Sequence, residues 1–187
     1  MSIQDVFQRI TSALAQASID YMLSGSFSAA YYGAARSTQD IDFVIHATPE
    51  QLRSFIGSLP PGHYYADLDS ALEAQQHQSM FNVIDQATGW KIDFIIRKSR
   101  PYSQEEFRRR KQVTLHSVAL FMTTAEDAVI SKLEWAKLAK SSRQIEDVAA
   151  ILRAQREMLD QSYLQKWIAE LGLTNEWQTA NLAAESY

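Results

Sequence analysis

The chain has 187 residues, 18 Lys+Arg against 22 Asp+Glu, a formal net charge of −4, 46% hydrophobic residues and no cysteine. That size and apolar content suit one folded core with a small helical appendage and exclude a disordered or fibrous chain. The missing cysteines exclude disulfides, thiolate zinc sites, iron–sulfur clusters and cysteine nucleophiles, and the negative balance excludes a broadly basic nucleic-acid coat. The longest uninterrupted apolar run, Ala29–Ala35 with Gly33 counted in, is far too short to span a bilayer. No apolar signal-peptide core follows the N-terminus, where Asp5 already stands. A cytoplasmic protein with no membrane partner is the expectation.

In chain order, Ile3, Val6, Phe7, Ile10, Ala13, Leu14 and Ala17 recur at helical spacing. A strand follows at Tyr21–Leu23 and stops at Ser24-Gly25-Ser26. A helix of small residues comes next, about Phe27–Gly33. Asp40–Ile45 reads as a second strand. Pro49–Leu59 reads as a helix with Thr48 as its cap and Pro49 in its first position. Met80–Ile84 and Trp90–Ile96 read as strands joined by the turn residues Asp85–Gly89. Val113–Met122 offers one more strand or two short ones.

From there the chain is helical: Thr123 and Thr124 can cap a helix whose first turn holds Glu126 and Asp127. Helices are expected at about Ala125–Ala139, Arg143–Gln155, Gln161–Leu171 and Thr174–Ala184. The fold class is therefore α+β. Residues 1–122 form a mixed-sheet core with flanking helices, and residues 123–187 form a helical region packed on it.

The informative segment is Leu23–Ile45. Asp40 and Asp42 stand two apart in a strand, so both carboxylates point to one face, about 7 Å apart, while Ile41 and Phe43 point to the other. Such a pair repels itself unless a cation lies between, and hard oxygen ligands of this kind suit Mg²⁺ together with substrate phosphates. Asp93 stands in a similar apolar strand, and Ile-Asp-Phe occurs at both 41–43 and 92–94. If the two strands are neighbours, the three acids converge at one edge of the sheet and could hold two Mg²⁺ ions. Upstream, Gly25 allows close backbone approach to a phosphate, the helix start and the Ser26 hydroxyl supply donors, and Arg36 and Thr38 stand within reach of phosphate or ribose. Each of these features is commonplace alone. Together they need a reason, because three acids in apolar strands are strongly unfavourable without partners.

Gly25-Ser26, thirteen residues, then Asp40-Ile41-Asp42 resembles the signature of the DNA polymerase β-like nucleotidyltransferase superfamily, with Asp93 matching its third carboxylate. The resemblance covers roughly residues 5–100. It implies a small mixed sheet with flanking helices. The implied activity is Mg²⁺-dependent transfer of a nucleoside monophosphate from an NTP to an RNA, protein or small-molecule acceptor. It further implies that Asp40, Asp42 and Asp93 are metal ligands and catalytic residues, and that Gly25 and Ser26 hold the nucleotide.

A narrower resemblance runs through Arg36-Ser37-Thr38-Gln39-Asp40-Ile41-Asp42, similar to the Arg-x-Thr-x-Asp-x-Asp of the abortive-infection-type nucleotidyltransferase toxins of type IV toxin–antitoxin systems. Lys132 and Asp147 match a lysine and an aspartate on the helices that follow the core in those proteins. The resemblance implies that both residues act at the nucleotide, that tRNA or another RNA is a candidate acceptor, and that a cognate antitoxin is a candidate partner.

Read on their own, these two residues keep alternatives. Lys132 either snorkels from an apolar helix face or brings a point charge to the triphosphate. Asp147 pairs with Arg143 one turn back, bridges to Lys132, or serves the reaction. Residues 97–111 carry seven basic against two acidic residues, either a solvated run or a surface for polyphosphate or RNA. His46, His63, His77 and His116 have no metal-ligand spacing. A non-catalytic nucleotide-binding or protein-interaction module that keeps the fold is the alternative function.

Overall fold

The structure is a computed structural model, described here for residues 2–186. It divides into two compact units. The first comprises Met1–Ser24 and Thr38–Met122. The second comprises Gly25–Ser37 and Thr123–Tyr187. The polypeptide passes from one to the other at three places in the sequence, so the glycine–serine turn and Arg36 fold with the later helices.

The first unit is a seven-stranded mixed sheet with helices. Its elements are α1 (Ile3–Gln16), β1 (Asp20–Ser24), β2 (Asp40–His46), α3 (Pro49–Ser58), β3 (Tyr64–Ala66), α4 (Leu68–His77), β4 (Met80–Asp85), β5 (Lys91–Ile96), α5 (Pro101–Arg108), β6 (Lys111–Leu115) and β7 (Val118–Met122). The strand order is β3-β4-β5-β2-β1-β7-β6. β1 runs antiparallel to β2, and β2 runs parallel to β5.

Local chemistry explains the boundaries. Ser2 caps α1 and Thr48 caps α3, each in a reciprocal box with the third residue of its helix, and Pro49 occupies the first turn of α3. The alternation of β2 buries Ile41, Phe43 and Ile45. Phe43 stacks on Phe94 of β5, which also meets Phe55 of α3 and Phe81 of β4. This aromatic cluster is the heart of the sheet's packed face, and it leaves the acid-bearing face of β2 and β5 for other use.

The second unit is helical: α2 (Gly25–Tyr31), α6 (Ala125–Ala139), α7 (Ser142–Gln155), α8 (Gln161–Glu170) and α9 (Thr174–Glu185). α2 packs on α6 and α7. Gly25 has φ +63° and Gly33 has φ +122°, backbone that favours glycine. Gly33 also has no room for a side chain, since a Cβ there would stand 2.5 Å from the Ala154 Cβ. Thr124 caps α6 through the Asp127 N–H, while the Asp127 carboxylate accepts from the hydroxyls of Thr124 and Tyr163. That buried network ties α8 to the start of α6.

Three elements, β3, α4 and α5, were not expected from the sequence, whereas the two-strand alternative for 113–122 is the one formed. β3 and α4 lie in the unassigned stretch between residues 60 and 79. α5 occupies part of the basic run, where Pro101 opens the helix and Tyr102 and Phe107 anchor it. The stretch 113–122 resolves into two strands joined at His116 and Ser117, both with positive φ.

No helix among the described residues is long and apolar enough to cross a membrane.

Candidate active site: two charged clusters

In the first unit, parallel pairing of β2 and β5 sets Asp40 beside Lys91 and Asp42 beside Asp93. Partners in register share a face, so Asp40, Asp42, Asp93 and Lys91 form a two-by-two block, with strands about 4.8 Å apart. The row containing Asp42 and Asp93 continues to Ser24 on β1 and Asn82 on β4. Expectation placed the acids at an edge of the sheet. They sit instead at the beginnings of two central strands, because β4 and β3 extend the sheet beyond β5.

Asp93 is buried, its side chain 8% exposed. Its Oδ2 accepts a hydrogen bond from the Lys91 ammonium at 2.7 Å, and its Oδ1 is buried with no hydrogen bond at all. The Asp93 hydrogen bond lifts the Lys91 ammonium above the usual lysine pKa against the opposing effect of burial, and the charges of Asp93, Asp40 and Asp42 add to that lift. The Thr38 hydroxyl brackets Asp40, accepting from its N–H and donating to its carbonyl, both at 3.2 Å. That turn fixes where β2 begins.

The acids are thus neighbours on one face, but they do not close on a point. Among the described residues no three acidic or imidazole side chains enclose a metal position, and the Lys91 ammonium holds one Asp93 oxygen. The donor set nevertheless fits a divalent cation. Its ligands are hard carboxylate oxygens, one buried oxygen lacks any donor, and a positive group already stands among them.

In the second unit, the Lys132 ammonium donates to Asp147 Oδ2 at 2.7 Å, with both side chains 7% exposed. Arg36 Nε reaches the same oxygen at 3.2 Å, and Arg36 Nη2 donates to Ser26 Oγ at 2.7 Å. Gly25 opens α2, and its carbonyl accepts from Ser28 Oγ. Among the alternatives open for Asp147, the bridge to Lys132 between α6 and α7 is present. Arg36, expected within reach of phosphate or ribose, here joins Ser26 to Asp147. Two cations thus converge on the one Asp147 carboxylate oxygen.

Two features were not legible in advance. Lys91 carried no assigned role, although its place two residues before Asp93 in a strand signals a shared face. The basic segment 97–111 begins at Arg97, about 13 Å along the strand direction from Asp93, at the opposite end of β5 from Lys91. Several of its guanidiniums have partners. Arg110 lies 4.4 Å from the Phe107 ring and pairs with Asp20, Arg97 lies 5.6 Å from the same ring, and Arg108, itself exposed, pairs with Glu105. The cation–π contacts and ion pairs favour a structural role for this run.

The chain has a central mixed sheet with flanking helices. Solved structures share it. A solution structure of the antibiotic-resistance factor ANT(2'')-Ia matches with a TM-score of 0.59 at 10% identity, covering 98% of this chain and 97% of that one. The crystal structure of ANT(2'')-Ia in complex with adenylyl-2''-tobramycin matches with a TM-score of 0.55 at 12% identity, over 92% and 97%. An antigenic nucleotidyltransferase-like protein from Paracoccidioides brasiliensis matches with a TM-score of 0.52 at 15% identity, over 95% and 90%. At these identities the likeness is one of fold. No curated protein matches the chain. The chain belongs to the family described as nucleotidyltransferase of unknown function (DUF6036), whose model matches residues 2–187. It is a nucleotidyltransferase enzyme by that membership.

Proposed function

We propose that the protein transfers a nucleoside monophosphate from an NTP to a hydroxyl acceptor, with Mg²⁺ as cofactor. The observation that carries this reading is the Asp40, Asp42 and Asp93 block on one sheet face, with a buried Asp93 oxygen that no hydrogen bond satisfies. In this reading Asp40, Asp42 and Asp93 hold the metal, with room in the ligand count for two ions. When bound, Mg²⁺ would neutralise triphosphate charge and polarise the reacting oxygens.

The chain's own groups have separate tasks. Gly25, Ser26, Thr38 and Arg36 bind the nucleotide, and Lys132 brings a buried positive charge to its phosphates. Asp147 orients Lys132 and Arg36 through the oxygen they share. Asp93 helps activate the acceptor hydroxyl, as metal ligand or as the base that takes its proton. The acceptor oxygen then bonds to the α-phosphorus, the bond from that phosphorus to the bridging oxygen breaks, and pyrophosphate leaves. Rate comes from positioning and charge neutralisation.

The acceptor class is RNA, with tRNA the first candidate, on the strength of the likeness of Arg36–Asp42, Lys132 and Asp147 to the abortive-infection-type toxins. The same likeness supports a toxin role with a cognate antitoxin as partner, in the cytoplasm. ANT(2'')-Ia, whose complex contains adenylyl-tobramycin, makes a small-molecule acceptor the second reading. The test is incubation with each α-labelled NTP and Mg²⁺ against total tRNA, protein extract and aminoglycosides. Label on an acceptor from wild type but not from Asp42→Asn supports the proposal. No transfer to any acceptor, with no pyrophosphate released, contradicts it and favours a non-catalytic module.

A further inference from the structure

Lys91 is the odd member of the block on β2 and β5. Three of its four positions are acids on adjacent sites of one sheet face, an arrangement whose like charges repel. The fourth is a lysine whose ammonium sits 2.7 Å from Asp93 Oδ2 and also feels the charges of Asp40 and Asp42. The two partners differ in freedom. Asp93 is buried at 8% exposure, while the Lys91 side chain is 41% exposed on a flexible four-carbon stem that can lift its charge into water at small cost.

We infer that Lys91 is a tethered counter-cation of the acid block. It offsets part of the cluster's negative charge and holds Asp93 while no divalent ion is present, and it releases Asp93 Oδ2 when one binds. The inference rests on the reading that these acids are metal ligands. The ammonium and the divalent ion then compete for the same oxygen, so the lysine makes metal binding weaker than the carboxylates alone would allow. Empty-handed, the protein stays ordered; loaded, it has a lysine free to meet the phosphate charge that arrives with the metal.

The competition separates this role from an ordinary ion pair. Removing an ordinary pair lowers stability equally with and without metal. Removing a competing counter-cation lowers stability only without metal, and saturating metal closes the gap by mass action.

The test is Mn²⁺ binding to the nucleotide-free protein, followed by electron paramagnetic resonance of free Mn²⁺, with melting curves in chelator and in saturating Mg²⁺. Lys91→Met is expected to melt lower than wild type in chelator, to melt level with it in Mg²⁺, and to bind Mn²⁺ more tightly, on the order of tenfold. Lys91→Arg, which keeps the charge, is expected to stay within about twofold of wild-type affinity. Lys91→Gln replaces Lys91→Met if that variant does not fold. Unchanged or weaker Mn²⁺ binding by the neutral variant, with wild type binding Mn²⁺ normally, overturns the counter-cation role and leaves the metal reading standing. Wild type that binds no Mn²⁺, with Asp42→Asn indistinguishable from it, overturns both.

Discussion

Lys132 and Asp147, on consecutive helices of the second unit, form a buried ion pair at 2.7 Å, and Arg36 closes on the same carboxylate oxygen. Losing one partner of a buried pair usually leaves the other charge without compensation, but Arg36 still faces Asp147 when Lys132 is removed. Lys132→Met is therefore expected to destabilise the fold by less than the about 3–5 kcal/mol of a fully orphaned buried charge. Denaturant titration checks the stability. If Lys132 also serves the nucleotide, Lys132→Met folds but loses NTP affinity. If the pair is only structural, Lys132→Met binds NTP as wild type does.

Arg36 links Ser26 to Asp147. Arg36→Lys keeps the charge but cannot fork between the two partners. It is expected to weaken NTP binding by roughly ten- to a hundredfold, the range of a lost charge-assisted contact, and to alter stability by less than the Lys132 change. Isothermal titration with NTP and Mg²⁺ measures the first and thermal melting the second.

Gly33 is a purely structural prediction. A methyl group there meets Ala154, and its φ is positive. Gly33→Ala is expected to cost about 1–3 kcal/mol from overpacking, with a further backbone cost of about 1–3 kcal/mol. Gly57→Ala, where nothing stands within 4 Å of the new Cβ, is the control and is expected to leave the melting temperature unchanged or raise it.

Tyr32 gives a pH dependence. Its hydroxyl donates to the Thr123 carbonyl at 2.8 Å, and burial, with a smaller push from Tyr31, raises its pKa well above the ordinary phenol value. The folded state keeps this proton where the unfolded chain loses it. The contribution is fully present below about pH 10 and declines as pH rises further. Tyr32→Phe is expected to be less stable than wild type at pH 8, with the difference shrinking by pH 11. Melting curves of the two proteins at both values test this, and a constant difference would show that Tyr32 is not held neutral.

The sequence made β2 and β5 readable because strong alternation and repeated Ile-Asp-Phe placed acids and apolar residues on opposite faces. α6 was readable from its Thr124 cap and acidic first turn. α4 was not, since Leu68–His77 is a weakly amphipathic run buried mainly through Ala71 and Ala74, and small apolar residues give little periodic signal. α5 was hidden by its dense run of arginines, one of which, Arg110, packs over Phe107 beside it and over Phe121 on another element. The acid block could be foreseen in composition, but not the role of Lys91, because only strand pairing sets it beside Asp40. The bridge from Arg36 to Asp147 spans 111 residues, beyond any local pattern.

The central claim is that Asp40, Asp42 and Asp93 bind an NTP through a divalent ion. The most direct measurement is the melting temperature with and without NTP plus Mg²⁺, for wild type, Asp40→Asn and Asp42→Asn. Wild type is expected to melt higher with the ligands, as mass action requires at concentrations well above Kd. Both variants are expected to match or exceed wild-type stability without metal, because like-charge repulsion is relieved, and to gain little or nothing from NTP and Mg²⁺. A ligand-induced rise of wild-type size in either variant would contradict the account.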